Sequence, residues 1–300
     1  MKNKRIFGAF LILFCTLLWA LNGNIGAYLF KTTELTPKSL TAIRLFTSGC
    51  TLFIYIVFNK SDGFSFFLDK KGIFFVLLYG FFGLLLMQYS YFTALDLSNA
   101  PTATLIQYLG AFLVVFVLSI VYKKLPPWTT FLALGLSFLG VFFLVTSGDL
   151  HSLLLSKDVL YYGGLSMIGY AMYNLAPLPI SKEYSSLSIV GGGMFFSGLF
   201  LLMISYPELR DIQWTLSSIL GTGYTIFLGT LLPFVLYMEG QKLVGPENAP
   251  IFALLESVFS AIISILWLKV SFSGIQYLGM ILILSMNLWL TLKQKEGELP

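Results

Sequence analysis

Glu256 is an acid in a place where acids are costly. It sits eight residues after Asn248, about 12 Å into the helix that follows the Gly245-Pro246-Glu247-Asn248 turn, at ~1.5 Å of rise per residue. Ala253, Ser257, Ser260, Ala261 and Ser264 share its face at helical spacing. A small, polar stripe of that kind faces a neighbouring helix or a water-filled cavity. Two readings stand: a site for a cation, proton or amine, or a neutral glutamic acid hydrogen-bonded between helices. Arg44 is the other ionisable group inside an apolar run, roughly 8 Å into its helix. It either recognises an anionic group or anchors the helix by reaching back to the surface.

Aromatic and amide side chains accompany these two charges. Trp19 and Asn22 share a helix face. Gly163, Met167, Tyr170 and Asn174 form a second stripe, and Gly80, Gly83, Gln88 and Tyr91 mark a third helix. Gln107 lies beside Ala103, Gly110 and Ala111. Together such groups could line a pathway for amino acids or aromatic metabolites. The plain alternative is packing and lipid contact, since 17% of the chain is aromatic and small residues let helices approach closely. Asp96 and Glu239 sit near helix ends and read as interfacial. Pro233 falls inside a helix and removes a backbone bond, which is tolerated where protein or a cavity satisfies the freed carbonyl.

The elements that position these groups are apolar helices. Of the 300 residues, 57% are hydrophobic and 11% charged, too few charges for the shell of a soluble globule. Apolar runs predict an all-α integral membrane protein with ten transmembrane helices, near 6–29, 39–58, 72–95, 101–121, 128–147, 159–180, 188–206, 215–240, 248–268 and 274–292. Residues 1–22 resemble a secretory signal, but the apolar stretch runs on and reads as a retained first helix. Polar or proline-bearing breaks separate the runs, as at Lys123-Lys124-Leu125-Pro126-Pro127 and around His151, the one histidine. Cys15 and Cys50 lie in apolar runs and read as packing residues. Twelve lysines and arginines, Lys60 among them, fall on the side of both termini, against five, Lys269 among them, on the other. The bias places both termini in the cytoplasm and requires an even number of spans.

A repeat divides the chain. Asn99-Ala100-Pro101 recurs as Asn248-Ala249-Pro250, and the same offset of 149 lays Ser39, Ser48 and Gly49 on Ser188, Ser197 and Gly198. With small gaps Trp19-Ala20 meets Tyr170-Ala171, and Gly83 and Tyr91 meet Gly229 and Tyr237. The units are residues 1–149 and 150–300. Five helices per unit is odd, so the second unit is inverted relative to the first. Inverted repeats are a device of secondary transporters, which place the substrate near the membrane midplane between them. The repeat sets Gln107 opposite Glu256, amide against acid, and Arg44 opposite Gly193. The Asn-Ala-Pro triplets read best as asparagine caps with proline in the first turn.

The length, the duplication, Leu17 to Ala20 (Leu-Leu-Trp-Ala) and Thr36 to Arg44 (Thr-Pro-x-x-Leu-x-x-x-Arg) resemble the EamA-type branch of the drug/metabolite transporter superfamily. Ala94 through Ala100 fits that pattern too, while Gly193 in place of a second arginine departs from the first half. The resemblance implies export or exchange of small metabolites across the cell membrane, without naming the substrate. The expected pathway residues are Trp19, Asn22, Arg44, Gln88, Tyr91, Gln107, Tyr170, Asn174, Glu256 and Ser260, on helices one to four, six and nine, with helix eight also lining. Glu256 is the candidate proton acceptor. Partners are a small-molecule substrate, lipid and protons, with the chain as monomer or homodimer. No cofactor, metal or nucleic acid is expected. No His-Glu-x-x-His, phosphate-binding loop or paired-aspartate motif supports an enzyme. A membrane channel or a non-transport polytopic protein is the alternative.

Overall fold

The computed structural model describes residues 2–58, 65–98, 100–125, 127–152, 155–210, 212–266 and 271–296. Asn99, Lys60, Pro126 and Lys269, which entered the repeat, the breaks and the charge count, lie outside these, as do the side chains of Ala100, Pro101 and Ser264. Every regular element among the described residues is helical: α1 (Lys2–Thr32), α2 (Pro37–Phe58), α3 (Lys70–Leu97), α4 (Ala100–Tyr108 and Gly110–Val121), α5 (Trp128–Thr146), α6 (Lys157–Leu175), α7 (Ser186–Arg210), α8 (Leu216–Val244), α9 (Ala249–Ala253 and Leu255–Leu266) and α10 (Gly274–Glu296).

Seven of these, α1 to α5, α7 and α8, are long and apolar enough to cross a membrane; Ala249–Ile263 and Gly274–Met286 are apolar but shorter. α6 is less apolar because its 19 residues include four tyrosines, Ser166 and Asn174. It also stops at Leu175 rather than near residue 180, because Pro177 and Pro179 cannot continue it and the chain turns over 176–183. Large apolar side chains such as Phe58, Phe116 and Ile120 stand exposed on the outside, a surface that water would penalise and lipid tails do not.

Antiparallel pairs build the bundle: α2 with α7, α5 with α10, α1 with α8 and α3 with α6. Glycines set their separation. A Cβ on Gly198 would strike the backbone of Phe46, and one on Gly140 would lie 2.7 Å from the Gly279 carbonyl. Without a hydrophobic force between helices in lipid, such close backbone contact is the main source of attraction. Residue 8 of α1 lies against residue 240 of α8, and residue 29 against 221, so the end of the bundle with the α5–α6 and α9–α10 connections is opposite the start of α1.

Two irregularities interrupt the α-helices where the halves meet. α3 carries a π-helical segment over Tyr79–Leu85, and α8 carries one over Phe227–Leu231. Pro233 follows at the first turn of the α-helix after it, so the wider turn absorbs the missing N–H; the Pro233 carbonyl accepts from Cys15 Sγ at 3.2 Å. α4 and α9 break at Leu109 and Leu254. At the latter, Ser257 N donates to Leu254 O at 3.2 Å, three residues back, which frees the carbonyl of Ala253. Asn248 does not cap α9: its backbone is helical and its amide donates to Val244 O at 3.1 Å, tying α9 to the end of α8.

Candidate functional site

A buried cavity of about 60 Å³ lies between α1, α2, α3 and α4 of the first half and α6, α8 and α9 of the second. Trp19, Asn22, Arg44, Gln88, Tyr91, Gln107, Tyr170 and Glu256 line it. The structure therefore brings together eight residues that the sequence singled out from separate helices. Ser260 lines an adjoining cavity of about 220 Å³, with Thr104, Asn24, Ser257 and Gln276. Gly23, Tyr91 and Glu256 border both, so they form the wall between them. The second cavity lies toward the end with the α5–α6 and α9–α10 connections, since Leu144, Val145, Phe272 and Gln276 close its far side.

Arg44 is fully buried, with 1% of its surface exposed. Its Nε donates to Thr230 Oγ1 at 2.8 Å and its Nη2 to Gln88 Oε1 at 2.8 Å. The guanidinium lies over the Phe92 ring, 4.6 Å from the centroid, a favourable cation–π placement. Its Nη1 has no hydrogen-bond partner, and neither has Nε2 of Gln88. The π-helical turn of α8 supplies this anchor, because Thr230 sits within it and its hydroxyl is held by donation to Thr225 O at 2.7 Å. Arg44 does not reach back to the surface.

Glu256 follows the break in α9, and Tyr108 precedes the break in α4. The Tyr108 hydroxyl lies 2.7 Å from Glu256 Oε2 and 3.2 Å from the freed Ala253 carbonyl. It carries one proton and so donates to one of them at a time. With Glu256 ionised, it donates to the carboxylate. With Glu256 protonated, the acid donates to the tyrosine oxygen and the tyrosine to Ala253 O. Both protonation states are thus hydrogen-bonded, which a buried acid that titrates requires. Gln107, the repeat partner of Glu256, accepts from Ser166 Oγ at 2.7 Å and links α4 to α6.

Toward the other end, aromatic rings close the cavity. Trp19 meets Phe234 at 5.2 Å and Tyr237 at 5.5 Å, and Tyr173 meets Phe234, Tyr237 and Tyr79 at 5.4, 5.3 and 5.7 Å. Asn174 lies beyond these rings and outside the cavity lining. Its Nδ2 donates to Tyr170 O at 2.8 Å, and its Oδ1 accepts from Tyr237 Oη at 2.8 Å and Gln241 Nε2 at 2.9 Å. It fastens α6 to α8. Further out, Asp69 caps α3 by accepting from Lys71 N and Gly72 N, and Tyr184 Oη donates to it at 2.9 Å. The tyrosine bond, then the two amides, hold the Asp69 carboxyl below the ordinary carboxylate range.

The sequence reading missed Tyr108, Tyr173, Phe234 and Phe92, which also line the cavity. Each is one aromatic among many, and only its neighbour across the helix break or the ring cluster distinguishes it. Thr230 carried no signal, because its role depends on the π-helical turn. Among the described residues no group of three His, Cys, Asp or Glu could hold a metal ion.

The sequence model of the EamA-like transporter family matches this chain twice, over residues 6–146 and 159–291. A protein of Salmonella typhimurium, described as the uncharacterized inner membrane transporter YicL, is 31% identical over 284 residues and is covered over 95% of each chain. A solved crystal structure aligns with 99% of this chain and 100% of its own with a TM-score of 0.78, at 15% identity, a likeness of fold alone.

Proposed function

The chain belongs to the EamA-like transporter family and is a multi-pass membrane protein, and on that premise we propose that it is a secondary transporter, an exporter or exchanger of small metabolites of the amino-acid class. It works as a carrier, not an enzyme. The observation that carries this reading is the buried polar cavity built by helices from both halves. We read α1 to α10 as ten spans in two inverted units, residues 1–149 and 150–300, with both termini on the cytoplasmic side of the cell membrane. The pairing of helices supports the inversion: exchanging the halves turns the α1–α8 pair into the α6–α3 pair and leaves α2–α7 and α5–α10 unchanged.

Transport then proceeds by alternating access. In this conformation the cavity adjoins a second one on the side away from the termini, through a wall of Gly23, Tyr91 and Glu256. The aromatic cluster and Asn174 close the cytoplasmic side. Rocking one unit against the other would draw Trp19 and Tyr79 away from Phe234, Tyr237 and Tyr173 while bringing the second cavity's walls together. Glu256 is the proton acceptor, and the tyrosine beside it accommodates both of its protonation states. The mixed aromatic and amide lining suits an amino acid, which has both apolar and polar parts.

Counterflow in proteoliposomes tests the reading. Radiolabelled amino acids, nucleosides and sugars are presented to purified protein, with and without a pH gradient. Saturable counterflow of amino acids is expected. Sugars or nucleosides alone would replace the substrate class, and a rate that never saturates would replace the carrier by a channel.

A further inference from the structure

The buried cation of the cavity has a hydrogen-bonding capacity that the protein leaves unused. Arg44 carries a full charge and five N–H bonds in a planar fork. The protein supplies it with two neutral acceptors and an aromatic face, and none of the ion pairs among the described residues includes it. A buried polar group without a partner is costly, so each one calls for an explanation. Here two occur on residues that are hydrogen-bonded to each other. Gln88 Oε1 is already engaged by Nη2, which fixes the amide so that Nε2 is a donor. Nη1 and Gln88 Nε2 are therefore two unused donors on hydrogen-bonded neighbours, next to one positive charge. The group that complements such a pair is a planar anion with two oxygens.

Charge balance narrows the ligand. Arg44 is the one cation and Glu256 the one acid among the residues lining this cavity. A dianion such as phosphate would bring more negative charge than one guanidinium offsets, into a lining that is otherwise aromatic. A monocarboxylate that also carries an amine leaves the site neutral, with a carboxylate for Arg44 and an ammonium for Glu256.

We propose that Arg44 and Gln88 form the carboxylate-binding end of a site for a zwitterionic substrate, with Arg44 Nη1 and Gln88 Nε2 as the donors. The proposal rests on the carrier reading in that the ligand is the cargo, but it is tested by binding, without transport. Thr230, outside the cavity lining, is a positioning residue that holds the guanidinium, and the Phe92 ring supports the same group from the lining.

The test is ligand-dependent melting of the purified full-length protein in detergent, followed by circular dichroism. The probes are a panel of amino acids, each with its primary amide and its deamino acid, together with inorganic phosphate. Amino acids should raise the melting temperature of the wild type, and their primary amides should not. Arg44→Gln should weaken binding by about 30-fold or more, the cost of removing one member of a buried charge pair. Arg44→Gln can also disturb folding through its bonds to Thr230, so the comparison of acid with amide on the wild type decides independently. Equal stabilisation by acid and amide, stabilisation by phosphate to the same extent as by amino acids, or no stabilisation by any amino acid overturns the proposal. Counterflow of a cargo without a carboxylate, uncompeted by amino acids, would overturn it and leave the carrier reading standing. Acid-specific binding with no counterflow would do the reverse.

Discussion

Residues 23 and 174 occupy equivalent places in the two halves, by the same alignment that lays Trp19 on Tyr170. In α1 the residue is glycine, and the chain there borders both cavities. In α6 it is asparagine, and its side-chain oxygen accepts two hydrogen bonds that fasten α6 to α8. Residues 44 and 193 differ in the same way. Arg44 reaches the π-helical turn of α8 through Thr230, while Gly193 lies against the π-helical turn of α3, where a Cβ would stand 2.7 Å from the Tyr79 ring. The backbone device is common to both halves. Side chains make the difference: one end of the cavity adjoins a second cavity across the wall at Gly23, Tyr91 and Glu256, and rings fill the other.

Exchanging residues across the alignment breaks the comparison. Gly193→Arg should have the largest effect, since the side chains of Tyr79 and Leu84 fill the space; little folded protein should be recovered by size-exclusion chromatography, and a normal yield would disprove the packing argument. Gly23→Asn should fold, because a Cβ there meets only the Tyr91 hydroxyl at 3.3 Å, but its side chain fills the wall between the cavities and should lower counterflow about tenfold or more, the order of loss that a small misplacement in a binding site produces. Asn174→Gly should destabilise by about 2 kcal/mol, because the Tyr237 hydroxyl loses its buried acceptor and Gln241 keeps only its longer bond to the carbonyl of residue 174; an unchanged melting temperature would show that the fastening is not structural.

Two smaller changes sharpen the picture. Tyr108→Phe removes the donor to Ala253 O and Glu256 and should cost about 1–2 kcal/mol. It should also shift the pH dependence of counterflow, which Glu256→Gln should abolish; a Glu256→Gln protein with full pH-dependent transport would remove Glu256 as the proton acceptor. Asp69→Asn should have the smallest effect. The folded state holds the Asp69 carboxyl below its ordinary range, so its contribution is complete above the ordinary carboxylate pKa and disappears as pH falls through the lowered one. The substitution should lower stability slightly at neutral pH, where the carboxylate's contribution is complete, and flatten the fall in stability across that acidic window.

Much of this was legible in the sequence. Composition gave the membrane class, and buried charge drew attention to Arg44 and Glu256, because ionisable groups are rare in apolar runs for a physical reason. Helical spacing then gathered Trp19, Asn22, Gln88, Tyr91 and Tyr170. What periodicity cannot display is any departure from periodicity. The π-helical turns and the breaks at Leu109 and Leu254 create the bond from Arg44 to Thr230 and the freed Ala253 carbonyl that faces Tyr108. The same limit explains Asn174, whose stripe pointed to the pathway while its partners, Tyr237 and Gln241, lie on another helix.

The volume of the central cavity has a mechanical consequence. At about 60 Å³ it is far below the ~300 Å³ at which ligand pockets begin. Cargo cannot enter this shape without prying helices apart, and helices held by glycine-to-backbone contact have no slack to give. Each loading event must therefore enlarge this cavity by more than the second one gives up. Compression should oppose that expansion, so hydrostatic pressure is expected to slow uptake into the site before it unfolds the bundle. Stopped-flow binding under pressure would measure the expansion directly, as the slope of the logarithm of affinity against pressure.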